Sequence, residues 1–181
     1  MEFKDLKETT ISRKDVFEGK IMTVHVDQVR LPNGEIGERE VIDHVDGVGI
    51  LAIDDEDRVL TVTQYRYVFG KTLLEIPAGK LDWNEDHRLG GLRELREETG
   101  AVPEKFEYLG SFIPAPGCYM ENLHLYLATG LKFQEQDLDP DEFLHVDRIP
   151  FDEMVERCVN GEIEDGKTII AVLRAKALLH R

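Results

Sequence analysis

The sequence predicts a mixed α/β (α+β) sandwich preceded by an antiparallel, β-rich extension. Three observations carry that expectation. At 181 residues, 41% hydrophobic and 33% charged, the chain has the balance of one globular domain with a small appendage. Up to about Asp46 it is strand-rich. Beyond that point helices are inserted among mostly antiparallel strands, which favours a layered α/β arrangement.

The elements follow in order. "KIMTVHVDQVRL", from Lys20 to Leu31, alternates only roughly, but Asn33-Gly34 in "PNGE" supplies a turn and "REVIDHV" follows, so the stretch reads as a β-hairpin. "GVGILAID" and "RVLTVTQYRY", joined by the acidic turn "DDED", are apolar enough to be buried strands. "TLLEIPAG" is a short strand stopped by Pro77. Asp86 to Thr99 reads as a helix with Gly100 as its C-terminal stop. "KFEYLGSFIPA", "NLHLYLATGLKF" and "EFLHVDRIP" are further strands, and helices are expected over Phe151–Asn160 and Asp165–Leu179. Val172, Leu173, Ala175, Lys176, Ala177 and Leu179 give the last helix a broad stripe. A boundary is expected within Asp43–Gly47, giving an extension over 1–45 and a main domain over 46–181.

Composition excludes several functions. No run of about 18 apolar residues exists, so no membrane span is expected. The start "MEFKDLKETTISRKD" lacks a signal-peptide core, which predicts a cytoplasmic protein. Cys118 and Cys158 are far apart and lack CxxC or Cys/His spacing, which argues for reduced thiols over a disulfide or zinc site. A net charge of −15 argues against a nucleic-acid partner. It still permits a small anionic substrate, provided a divalent cation reverses the local field.

The helix from Asp86 carries "RELREETG". At about 100° per residue, Glu94, Glu97 and Glu98 share one sector, while Leu89, Leu92 and Leu95 fall on the opposite side and are expected to pin the helix to a core. A solvated face would interleave lysine or arginine at i+4, and none stands between Glu94 and Glu98 on that face. Like charges so close need a cation among them. Oxygen-only ligation suits Mg²⁺, with Mn²⁺ as a substitute.

From Gly79 to Ala101 the chain reads G-x5-E-x7-R-E-U-x-E-E-x-G-U, through Glu85, Arg93-Glu94, Leu95, Glu97-Glu98 and Gly100. This resembles the Nudix box at every defined position. The resemblance implies a Nudix-type α/β/α sandwich with a mixed sheet and a hydrolase that cleaves a nucleoside diphosphate linked to another moiety. It implies that Glu94, Glu97 and Glu98, with the Ala78 carbonyl, hold the metal, and that Arg93 orients neighbouring glutamates. Glu85 matches the box glutamate of the loop, and Gly79 allows a tight backbone turn. Asn84 stands where glycine is frequent, a mild departure because Asn tolerates a left-handed backbone.

Outside the box, "QYRYVFGKTLLEIPAGKLD" resembles the ADP-ribose pyrophosphatase branch of that family. Arg66 then matches a substrate-contacting arginine and Glu75 a glutamate lining the pocket. Pro116, 16 residues beyond Gly100, matches a feature associated with ADP-ribose specificity. In "DLDPDEFLHVDRIP", Glu142 matches the water-activating glutamate, with Asp141 as understudy and Glu121 as a third candidate. The N-terminal hairpin looks like the extension that pairs two subunits, and Arg39 matches a substrate-contacting position within it. His44-Val45-Asp46-Gly47-Val48 stands where the branch reads H-P-G-A-V, which leaves the nucleobase contacts open. The resemblance therefore implies a Mg²⁺-dependent homodimer converting ADP-ribose to AMP and ribose 5-phosphate. GDP-mannose or another nucleotide sugar is the alternative substrate, and a non-catalytic ligand sensor the alternative class.

Overall fold

The computed structural model describes residues 6–140 and 142–179. It divides the chain into two compact units, one of Met1–Val45 with Ile113–Asn122, the other of Asp46–Phe112 with Leu123–Arg181.

The first unit is one sheet. Strands β1 (Thr9–Glu18), β2 (Met22–Arg30) and β3 (Ile36–His44) form an antiparallel meander, and the short β9 (Tyr119–Met120) joins β3 in parallel. The expected hairpin is β2–β3, turned at Gly34 with φ 88°. Strand β1 lies within the stretch read as strand-rich but was not marked as an element. Register irregularities at Thr10/Ser12 and Asp15/Phe17 break its period-two pattern, so the alternation that reveals a strand is missing.

The second unit is a three-layer sandwich. Its main sheet runs β7–β4–β10–β8, from Ala78–Lys80, Gly47–Ala52, Leu123–Phe133 and Ala101–Phe112. The pair β4–β10 is parallel and its neighbours are antiparallel, so the sheet is mixed. A second sheet orders β11 (Leu144–Pro150), β5 (Arg58–Arg66) and β6 (Lys71–Glu75). Strand β4 shows why both faces are covered. Val48, Ile50 and Ala52 pack in the core on the side of helix α1 (His87–Thr99), beside Leu60, Leu95 and Tyr126. Leu51 and Ile53 pack on the other side against helices α2 (Phe151–Val159) and α3 (Gly166–Leu178), through Phe151, Met154, Ala171 and Val172. All six β4 residues are buried, as a strand sandwiched between helices must be.

Helix α1 is held at both ends. Asp86 is its N-cap, its carboxylate accepting from the N–H groups of Arg88 and Leu89 at 2.9 and 3.1 Å. Gly100 ends it at φ 70°, and a Cβ there would lie 2.2 Å from the Gln134 carbonyl oxygen. Gly100→Ala should therefore cost about 2 kcal/mol or more, from left-handed strain plus the clash. A lowered urea midpoint with unchanged slope would register that loss.

The face α1 buries differs from the expected one. Leu95 is fully buried, but Leu89 is 62% exposed. The buried positions Gly90, Gly91, Glu94, Leu95, Glu98 and Thr99 span an arc of about 180°, with the two glutamates inside it. The glutamates therefore face the protein, and Leu89 turns to solvent.

Candidate active site

The α1 glutamates meet the backbone after β6. Glu98, 3% exposed, accepts from the Ala78 N–H at 3.0 Å, which fixes that peptide beside the carboxylate. Gly79 is required by proximity: a Cβ on it would sit 1.9 Å from the Glu94 carboxyl carbon. Asn84, at φ 64°, takes the left-handed turn expected of it.

Arg93 organises the outer side of the cluster. Its Nε and Nη2 form a bidentate pair with Glu85 at 3.0 Å each, while Nη1 donates to Glu94 at 2.8 Å and to Glu97 at 3.0 Å. The Glu85 carboxyl is held below the usual carboxylate range, chiefly by those Arg93 hydrogen bonds. Glu85 in turn accepts from the Asp82 N–H at 2.9 Å and so shapes the loop leading to α1.

Two carboxylates are far from their ordinary state. Burial pushes Glu94 up to about 7, partly offset by Arg93 and reinforced by the charges of Glu97 and Glu142. Burial pushes Glu98 up to about 8, with Glu94 and Glu142 adding to the effect. Glu142 thus acts electrostatically on both. Its own N–H is tied to the Asp139 carbonyl at 2.9 Å. The loop before it is anchored to the end of α1, where Asp137 N–H donates to the Glu97 carbonyl at 3.1 Å and Gln134 N–H to the Gly100 carbonyl at 2.8 Å. Asp141 lies outside the described residues.

A second charged group adjoins the first. The guanidinium of Arg66, at the end of β5, grips Glu75 through Nε and Nη2 at 2.6 Å each. Glu75 is 1% exposed and also accepts from the Lys167 ammonium, which pairs with Asp165 at 3.1 Å. Burial alone would raise the Glu75 carboxyl; Arg66 and Lys167 outweigh it and hold it below the usual range. The fields of Asp165 and Glu98 reach Arg66, and that of Lys167 reaches Glu98, so the two groups share one electrostatic neighbourhood.

The second unit therefore gathers Ala78, Glu94, Glu97, Glu98, Glu142, Arg66 and Glu75. Arg39 and Pro116 belong to the first unit. There Arg39 is exposed and paired with Glu8 through Nε at 2.9 Å and through Nη2. Pro116 lines a cavity of about 280 Å³ with Val41, Tyr119 and Glu121. Glu121 stands 3.9 Å from His44 Nδ1, also within that unit. Sequence reasoning missed Lys167 and Asp165. The available signal was "DGKT", a lysine placed at a helix start where the dipole disfavours it.

The donor set fits a divalent cation. The buried Glu94 and Glu98 carboxylates would be held in their charged form by added positive charge, and oxygen-only donors suit a hard ion. Among the described residues, as their side chains are placed, no group of three or more His, Cys, Asp or Glu stands ready to hold a metal ion. Arg93 Nη1 occupies the shared position between Glu94 and Glu97, so a cation bound by both must displace it.

Comparison with known proteins agrees with this geometry. The NUDIX domain model matches residues 43–171, and the nucleoside diphosphate sugar hydrolase N-terminal domain model matches residues 8–42. The chain is 42% identical to a methanol dehydrogenase activator of Bacillus methanolicus, over 93% of this chain and 92% of that protein. It is 37% identical to an ADP-ribose pyrophosphatase of Bacillus subtilis (strain 168), with the same coverage. A crystal structure of an ADP compounds hydrolase shares the fold, at TM-score 0.85 and 21% identity over 96% of this chain and 95% of that one. The chain belongs to the Nudix hydrolase family, whose members act on diphosphate bonds.

Proposed function

We propose that the protein hydrolyses ADP-ribose to AMP and ribose 5-phosphate with Mg²⁺, Mn²⁺ being a working substitute. Nudix hydrolases generally need a divalent metal ion. The observation that carries the reading is the cluster of Glu94 and Glu98, buried and held near neutral pKa values beside Glu142. The relative named ADP-ribose pyrophosphatase supports the substrate.

In this reading Glu94, Glu97, Glu98 and the Ala78 carbonyl hold the ion, which when bound neutralises the diphosphate and lowers the pKa of water. Arg66 clamps the diphosphate with the guanidinium edge that Glu75 leaves free. Glu142 accepts the proton of the attacking water. Arg93 keeps its Glu85 pair, so the loop from Gly79 stays in place while Glu94 and Glu97 turn to the ion. For Arg39 and Pro116 the substrate-contacting role rests on the family resemblance of their positions alone.

A substrate panel with Mg²⁺ tests the reading. ADP-ribose should turn over at least about tenfold faster, in kcat/KM, than GDP-mannose, NADH and diadenosine polyphosphates. Equal or faster turnover of GDP-mannose would assign the protein to the nucleotide-sugar alternative. The relative named methanol dehydrogenase activator supports a second reading, in which the same hydrolysis activates a dehydrogenase. That reading predicts faster methanol oxidation when the wild-type protein is added to a methanol dehydrogenase, and none with Glu98→Gln.

The first 45 residues act as a dimerisation extension and residues 46–181 as the catalytic domain. Ile11, Val16, Phe17 and Ile36, exposed on the first unit's sheet, support pairing of two copies through it. Light scattering should give twice the chain mass; a monomer would remove this part. Among the described residues no helix is long and apolar enough to cross a membrane. The free cysteines Cys118 and Cys158 support a reducing, cytoplasmic location.

A further inference from the structure

Lys167 is a costly residue where it stands. It is only 9% exposed, and its ammonium loses hydration on burial. It is also the second residue of α3, at the end of the helix dipole that repels a cation. Glu75 and Asp165 offset both costs, and the arrangement they complete is a chain. Asp165 caps α3 by accepting from the Thr168 N–H at 3.1 Å and pairs with Lys167. Lys167 holds Glu75 Oε2, and Glu75 holds Arg66 through both carboxylate oxygens. The Thr168 hydroxyl oxygen accepts from the Ile76 N–H at 2.8 Å, tying the same helix start to the backbone between Glu75 and Ala78.

The geometry leaves one part of this chain uncommitted. The bidentate pair uses Arg66 Nε and Nη2, and among the described residues Nη1 makes no hydrogen bond. The charges of Arg66 and Lys167 balance those of Glu75 and Asp165. Without Lys167 the group would carry a net negative charge facing an anionic substrate.

Resting on the reading of Arg66 as the diphosphate clamp, we propose that Lys167 is a positioning residue for hydrolysis: it fixes Glu75, which holds Arg66 with its Nη1 edge free for the substrate. Lys167 does not touch the reacting atoms. It sets the aim and the net charge of the group that does.

Lys167→Met tests this in the full-length protein with Mg²⁺ and ADP-ribose. The variant should fold, because Glu75 keeps Arg66 and Asp165 keeps its cap, and methionine fills the slot. KM should rise about tenfold with kcat within about threefold, the pattern of lost substrate binding. In an Arg66→Ala background the same change should move KM by less than about twofold, since the residue it acts through is gone. A purely structural lysine would give the same loss in both backgrounds, and that result, or an unchanged KM in Lys167→Met, overturns the proposal. If Lys167→Met does not fold, Lys167→Gln, which keeps a donor for Glu75 but not the charge, carries the same comparison. An unchanged KM in Arg66→Ala alone would strike the clamp reading itself. A raised KM there with wild-type KM in Lys167→Met would strike only the role of Lys167.

Discussion

Glu98→Gln should lower kcat on ADP-ribose by about 10³-fold, because a metal ligand contributes several kcal/mol of charge stabilisation to the transition state. The same substitution should make the metal-free protein more stable at alkaline pH. Glu98 is buried and pushed up from an ordinary 4.5 to about 8. The folded state therefore holds a proton that the unfolded state releases, and wild-type stability falls as pH rises from about 4.5 to about 8. Glutamine carries no such penalty. Its advantage in Tm should be absent near pH 4, grow through that window and level off above it. Thermal melts at several pH values, beside kinetics, would separate a lost ligand from a damaged fold. A variant that is both active and no more stable would contradict the assignment of Glu98.

Arg66→Ala should lower kcat/KM on ADP-ribose by about 10²-fold, mostly through KM, since charge-assisted contacts to phosphate contribute about 1.5–3 kcal/mol each. It should also destabilise the protein, because Glu75 is left buried with Lys167 as its counterion. Arg66 is itself partly exposed, so the loss should be smaller than for a pair sealed from water. Arg66→Lys should recover little activity, because an ammonium cannot grip both Glu75 oxygens and still present a free edge. Full recovery in the lysine variant would show that charge alone suffices.

Much of this site was legible because its residues are set by spacing. Three glutamates at i, i+3 and i+4 of a helix must share a face, and Gly100 stops the helix because only a left-handed residue fits there. The helix ends agree with the expected ones to within a residue for that reason. The hairpin was legible from Asn33-Gly34. Periodicity does not reveal which arc of a helix the rest of the chain covers, and Leu89 was misplaced on that account. It fails too where a strand is irregular, as in β1, or where a partner lies far along the chain. The pairing of Lys167 with Glu75 spans 92 residues and leaves no mark in either local pattern. Glu94 and Glu98 read as projecting from the helix; their burial, and hence their raised pKa values, comes from Gly79 and the Ala78 peptide packing onto them.

The central claim is that these buried carboxylates are a divalent-cation site. Mg²⁺ affinity of the wild-type protein, measured by calorimetry across pH, tests it most directly. Glu94 and Glu98, raised to about 7 and about 8, must both lose a proton to bind. Affinity should therefore tighten by on the order of 500-fold from pH 6 to pH 8, with protons released on binding. Binding that is independent of pH across that range, or no Mg²⁺ binding at pH 8, would contradict the account.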